Sequence, residues 1–196
     1  MRLHITSFIS LDGVTQAPGG PEEDTDGGFR HGGWSGPYFE PETMGAAWDG
    51  MASNGEALLQ GRRTYTVSAA AWGPQAGEPF ADWVNSVPKY VVSDTLAEDD
   101  IAWHPTTIIR GADLEKTVAG LRERPGGDIV VMGSSSVARA LLSADLVDAL
   151  TLLIEPIVLG GGKSIFPTDG SARAFDLTSV TTSGTGVQIC TYTRAR

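Results

Sequence analysis

Apolar residues come along this chain in short runs that switch between two periods. Leu3 and Ile5 alternate with polar neighbours ahead of Phe8 and Ile9, which predicts a strand over Arg2–Ile9. Between Glu42 and Asn54 the apolar positions are Met44, Ala47, Trp48 and Met51. Their three- and four-residue spacing predicts a helix, which Pro41 helps to start and Gly45 and Gly50 weaken. Ala57–Leu59 reads as a short strand, Arg62–Ala71 as a helix opening just after Gly61, and Phe80–Val84 as a short helical patch. Tyr90–Val92 and Thr107–Ile109 are β-branched strands. Leu114, Val118 and Leu121 mark one face of an amphipathic helix over Asp113–Arg122. Ile129–Met132 is apolar throughout, as in a central strand covered on both faces. A helix over Ser135–Ala144 then turns Val137, Leu141 and Leu142 inward. A strand follows over Ala149–Ile154, and Ala174–Val180 with Gly186–Thr193 form a closing antiparallel pair. Strand and helix alternate, then strands end the chain, so the pattern predicts one α/β domain over residues 1–196 with a mixed sheet.

One stretch has neither period. Ala17–Pro37 is rich in glycine, proline and acid, yet carries Phe29, His31 and Trp34. Loops that long without regular structure are uncommon in compact domains and often functional. This one reads as a flap over a site, with Trp34 the residue on it to watch.

Composition narrows the function classes. With 24 acidic against 14 basic residues the net charge is −10, which argues against a nucleic-acid binder. One or two local arginines can still hold a phosphate. No apolar run is long enough to span a membrane. The N-terminus lacks a secretory pattern, and Cys190 is the single cysteine, so a cytoplasmic protein is expected. His4, His31 and His104 show no metal-ligand spacing, and no metal is expected.

The candidate chemistry lies at strand ends. Gly61-Arg62-Arg63-Thr64 sits where a strand meets a helix, a place whose free amides bind anions; two surface arginines beside a cap are the alternative. Gly133-Ser134-Ser135-Ser136 joins the most apolar strand to a good helix and suits a pyrophosphate, although neither the GxGxxG nor the Walker spacing is present. Ser93 can donate to a phosphate or ribose, or cap the next turn. Asp12 can orient a substrate amide or form an Asx turn. Glu155 ends the apolar run Leu152-Leu153-Ile154, a costly place for a carboxylate unless it is paired or faces a cleft. It can hold a polar heterocycle, or make a salt bridge or subunit contact. Trp48, Trp72, Trp83 and Trp103 are better explained by packing than by a cofactor cage.

These pieces carry a resemblance in their order along the chain. Ser10-Leu11-Asp12-Gly13-Val14, Leu59-Gln60-Gly61-Arg62-Arg63-Thr64-Tyr65, Lys89-Tyr90-Val91-Val92-Ser93, Ile129-Val130-Val131-Met132-Gly133-Ser134 and Glu155-Pro156-Ile157-Val158-Leu159-Gly160-Gly161-Gly162-Lys163-Ser164-Ile165-Phe166 resemble the dihydrofolate-reductase-like superfamily. More closely, they resemble the reductase domain of bacterial riboflavin biosynthesis and its stand-alone relatives. The resemblance implies a three-layer fold with a mostly parallel sheet, flanking helices and a C-terminal β-hairpin. It implies NADPH as cofactor, a small-molecule acceptor and a homodimer. Arg62, Arg63 and Thr64 would then meet the 2′-phosphate and pyrophosphate, Ser93 the adenosine side, and Gly133, Ser134, Ser135 and Ser136 the diphosphate, with Gly160 and Gly161 as further cofactor contacts. Asp12 and Glu155 are the candidate catalytic residues, expected to orient the reacting groups more than to act as acids, with the proton donor left open to water or a substrate group. Asp12, Trp34, Asp49 and Glu155 would touch the substrate, Asp49 being the interior acid of the 44–54 helix. The resemblance admits several activities: reduction of a small heterocycle or carbonyl, reduction of the phosphoribosylamino-uracil of riboflavin synthesis, dihydrofolate reduction, or nucleotide or flavin binding without turnover. No basic cluster stands near Asp12 or Glu155, and the acidic insert is unfriendly to a phosphorylated substrate. The reading therefore leans to a stand-alone reductase.

Overall fold

The computed structural model describes residues 1–195. Its eight strands form one sheet in the order β4-β3-β2-β5-β1-β6-β8-β7. They are β1 (Arg2–Ser10), β2 (Gly55–Gly61), β3 (Lys89–Val92), β4 (Thr106–Ile109), β5 (Asp128–Val131), β6 (Ala149–Glu155), β7 (Phe175–Thr182) and β8 (Gln188–Arg194). From β4 through β6 all neighbours are parallel; β8 runs antiparallel to β6, and β7 to β8. The helices are α1 (Pro41–Asn54), α2 (Arg62–Trp72), α3 (Pro79–Ser86), α4 (Leu114–Arg122) and α5 (Ser135–Ser143). This is the mixed sheet expected from the hydrophobic pattern, in the mostly parallel, helix-flanked form that the resemblance implies.

Period two in the central strands sorts the core into two layers. On one face Leu3, Ile5, Leu59, Ile129 and Val131 pack against Leu114, Val118 and Leu121 of α4 and Val137, Leu141 and Leu142 of α5. On the other, Leu58, Val91 and Val130 pack against Met51 of α1, Tyr65 of α2 and Phe80, Trp83 and Val84 of α3. Every residue of β5 is buried, as befits a middle strand covered on both sides. Trp83 and Trp103 are core residues whose ring N–H groups donate to the Gly55 carbonyl and the Asn85 side chain. Cys190 is buried as well. No helix is long and apolar enough to cross a membrane among the described residues.

The insert is folded over the sheet end. Two short 3-10 turns, Asp26–Gly28 and Gly36–Tyr38, give it shape. Trp34 anchors it, packing with Val14 and Leu159 while its ring N–H donates 2.7 Å to the Gln16 carbonyl.

One buried cation departs from the apolar pattern. Lys89 at the start of β3 is only 1% exposed. Its ammonium donates to the carbonyls of Asn85, Val87 and His104 and lies 4.7 Å over the Trp103 ring. Burial pulls its pKa down to about 8. Replacing Lys89→Met strands three carbonyls without a donor, and urea denaturation should show a loss of about 2–3 kcal/mol. The native lysine releases its proton at lower pH than the unfolded one, so below pH 8 both states are charged and the burial cost is present in full. As pH rises from about 8 toward the ordinary lysine value of 10.5, the wild type should gain stability relative to Lys89→Met.

Candidate active site

The site begins where the sheet forks. β5 pairs with β1 only through Ile5↔Val131, whereas β1 continues beside β6 from Thr6↔Thr151 to Ser10↔Glu155. Past Ile5, one edge of β1 therefore faces open space. A cavity of about 770 Å³ fills the gap, with Thr6, Ser7 and Phe8 on its wall. Open α/β sheets bind ligands at such carboxyl ends.

Two helices start at the fork. Gly61 ends β2 and leads into α2; Gly133 follows β5 and leads through Ser134 into α5. Both starts lack a side-chain cap, so amides with no intrahelical partner face the cavity, a favourable place for an anion. The two segments touch, with the Gly61 N–H donating 3.3 Å to the Gly133 carbonyl. A side chain at Gly61 would run into Ser134, and Gly133 takes a φ of +72° against Thr64. These two glycines are there for close approach and backbone conformation. Arg62, Thr64, Ser134, Ser135 and Ser136 all line this end, as does Arg139 on α5. Among the described residues no carboxylate pairs with Arg62 or Arg139.

Arg63 is differently placed. Its guanidinium reaches back to the insert, 2.6 Å from Asp24 and 2.9 Å from Asp26. Lys163 joins the same pair at 2.6 and 2.7 Å. Gln16 ties the group together: its amide donates to the carbonyls of Asp24 and Asp26 and accepts from the Lys163 N–H. Burial works to raise Asp24, but the hydrogen bond from Lys163 and the neighbouring cations outweigh it and hold the carboxyl below its usual range. Asp26 is held below by Arg63 first and Lys163 second. The acids of the flap thus occupy two of the cations beside the phosphate-accepting helix starts.

Glu155 is wholly buried at the end of β6. One carboxyl oxygen accepts a 2.5 Å hydrogen bond from the Ser35 hydroxyl; among the described residues the other has no partner. Burial lifts its pKa to about 7, against the opposing pull of Ser35. Ser35 and Gly36 of the insert line the cavity, so Glu155 stands directly behind them.

Several expected site residues lie elsewhere. Asp12 is outside the cavity lining. It accepts from the Ser10 hydroxyl and from the amides of Leu159 and Gly160, contacts that lower its pKa to about 2 and pin the glycine turn to the end of β1. The Ser93 hydroxyl accepts from the amides of Thr95 and Leu96, capping a turn. Asp49 is exposed on α1, away from the cavity wall, which takes Trp48 from that helix. Trp34 is the flap's anchor, buried beneath it. Gly160 and Gly161 border a second cavity of about 740 Å³, lined also by Phe29 and His31 of the insert.

The far end of the main cavity is aromatic. Phe39, Trp48, Trp72 and Phe80 form a chain of rings with centroids 5.0–6.3 Å apart, beside Val67. Gln60, 2% exposed, lines the cavity as well; its amide donates to Ser68, and its oxygen has no partner among the described residues. Reading the tryptophans as packing residues missed Trp48 and Trp72 as cavity walls. The signal available for Gln60 was a lone amide after the apolar run Ala57-Leu58-Leu59, since buried polar groups normally require partners.

Comparison with known proteins agrees with this architecture. The uncharacterized protein YyaP of Bacillus subtilis (strain 168) is 34% identical over 119 residues, 57% of this chain and 59% of that protein, so the match spans less than two thirds of either. A structure from Shewanella sp. PV-4, assigned to riboflavin biosynthesis, superposes with a TM-score of 0.76 at 20% identity over the whole of both chains. A dihydrofolate reductase of Enterococcus faecalis complexed with NADP(H) superposes with a TM-score of 0.59 at 14% identity, covering 100% of this chain and 97% of the other. The model of the RibD C-terminal domain matches residues 2–189, and the chain belongs to that family.

Proposed function

We propose that this protein is an NADPH-dependent reductase of a small heterocyclic or carbonyl compound. The observation that carries the reading is the convergence of two uncapped helix starts, with Arg62 and Arg139, on the open edge of β1. Free amides and unpaired guanidinium groups suit a pyrophosphate and a 2′-phosphate. Membership of the RibD C-terminal domain family and the fold shared with an NADP(H)-bound dihydrofolate reductase support the same cofactor. The chemistry that NADPH supplies when bound is hydride donation from its nicotinamide ring.

The chain's own part is placement and proton supply. The fork admits a flat ring against β1, and the aromatic end holds an acceptor beside it. Glu155 is the acid we assign to proton handling, with Ser35 between it and the cavity. A carboxyl with a pKa of about 7 carries a proton near neutrality. Its bond to the serine can then reverse, leaving the Ser35 hydroxyl free to donate into the cavity. Asp12, ionised and fully engaged with the glycine turn, positions that turn in this scheme and moves no proton. Arg63 and Lys163, two of the four cations on the cavity wall, are already paired with Asp24 and Asp26, which disfavours the phosphorylated riboflavin-pathway substrate.

Titration with NADPH and NADH, followed by nicotinamide fluorescence, tests the cofactor. NADPH should bind the more tightly, and Arg62→Ala should weaken NADPH by about tenfold or more while changing NADH far less. Binding of neither nucleotide would refute the reading. With an acceptor in hand, kcat should fall as pH rises through about 7, because Glu155 loses its proton there. Glu155→Gln should lower kcat and remove that limb of the profile, while NADPH affinity stays unchanged. An unaltered profile in Glu155→Gln would exclude Glu155 as the proton source.

A further inference from the structure

The two ends of the cavity differ in charge, and the difference bears on what the acceptor is. α2 spans the cavity from Arg62 to Trp72, about 15 Å at 1.5 Å per residue. Its first turn carries the cations and free amides. Its last turn carries Trp72, which joins Phe39, Trp48 and Phe80. Phe39 and Val67 are each 44% exposed, so this end presents apolar surface to the cavity. The cavity wall also carries two neutral polar groups joined to each other: the Gln60 amide, whose buried oxygen lacks a donor among the described residues, and the Ser68 hydroxyl, one helical turn before Trp72. Of the four cations on the cavity wall, Arg63 and Lys163 are held by Asp24 and Asp26. Arg62 and Arg139 stand at the helix-start end, where the cofactor phosphates are assigned.

We propose that the acceptor is a neutral, planar aromatic compound that carries no phosphate and offers an N–H or O–H group to Gln60, with Asp24 and Asp26 acting as the specificity residues that keep phosphorylated compounds out. The inference rests on the reductase reading, which gives Arg62 and Arg139 to the cofactor phosphates; Arg63 and Lys163 are then the cations on the wall that a phosphate on the acceptor would have to use. Flat rings gain from stacking and edge contacts with the four aromatic side chains. The orphan Gln60 oxygen favours a ring bearing a donor over one without it. A phosphate on the ligand would meet cations already neutralised, and displacing Asp24 and Asp26 would leave two carboxylates beside it.

The test compares one ring with and without a phosphate. Calorimetric titration with 1-naphthol and with 1-naphthyl phosphate is run on the full chain saturated with NADP⁺, which occupies the Arg62 end that would otherwise hold the ester, and naphthol alone is titrated into the free chain as well. Naphthol should bind about tenfold or more tightly than its phosphate ester. Asp24→Asn/Asp26→Asn should bring the two within about threefold by strengthening the ester alone. Trp48→Ala should weaken naphthol by about tenfold with the fold intact by circular dichroism. Equal or tighter binding of the ester by the wild type, or absence of naphthol binding, would overturn the proposal, as would an unchanged preference in the double variant. NADP⁺ binding without naphthol binding removes this inference and leaves the reductase reading standing. Naphthol binding without NADP⁺ binding removes the reductase reading, and with it the ligand's role as acceptor, while the aromatic end remains a ring-binding site.

Discussion

Everything in the site depends on β5 stopping at Val131 while β1 runs on to Ser10. Parallel strands of equal length would pair throughout and leave no room between them. Here the shorter middle strand opens a slot whose wall is main chain from Thr6 onward. Backbone groups there have no ladder partner on that side, and unpaired backbone polar groups are costly unless water or a ligand meets them. The same early stop brings the chain round at Gly133 and starts α5 beside α2. Contact between Gly61 and Ser134 then sets how closely the two helix starts approach. The slot and the two positive helix ends thus share one origin in strand length.

The insert is held by charge and by a small apolar nucleus. Trp34, Val14 and Leu159 supply the nucleus. Asp24, Asp26, Arg63 and Lys163 supply the charge, and Gln16 joins the two. Arg63 is about half exposed, and ion pairs near the surface contribute little on balance. The charged cluster therefore governs what the cavity admits more than how stable the fold is. Glu155 illustrates the complementary case. It is fully buried, with one hydrogen bond from a serine on that insert. A lone carboxylate in such a place is expensive when ionised, so its proton is tied to the seating of the flap.

Sequence reasoning placed the elements well because burial on both faces leaves a plain signal. Ile129–Val131 has no polar residue, and Leu114, Val118 and Leu121 fall on one helical face; both are what β5 and α4 require. The strand-end glycines were equally visible, since Gly61 and Gly133 sit at changes of period. Side-chain destinations were harder. Ser93 and Asp12 have residue types that suit either a ligand or a turn, and the structure turns both toward backbone amides. Arg62 and Arg63 are adjacent and chemically identical, yet successive helical positions diverge by about 100°, and Arg63 ends at the insert's carboxylates.

By itself, the sequence determined the order and kind of the elements, the mixed sheet and the loops at which chemistry would gather. Periodicity and glycine placement are local properties, and local physics reads them. Only the tertiary structure decided which charges meet, which hydroxyls are spent on turns, and that Trp48, Trp72 and Gln60 face a cavity. Those outcomes join residues far apart in the chain, such as Asp24 with Lys163 and Ser35 with Glu155. Their distances are set by strand order and packing, which no local pattern contains.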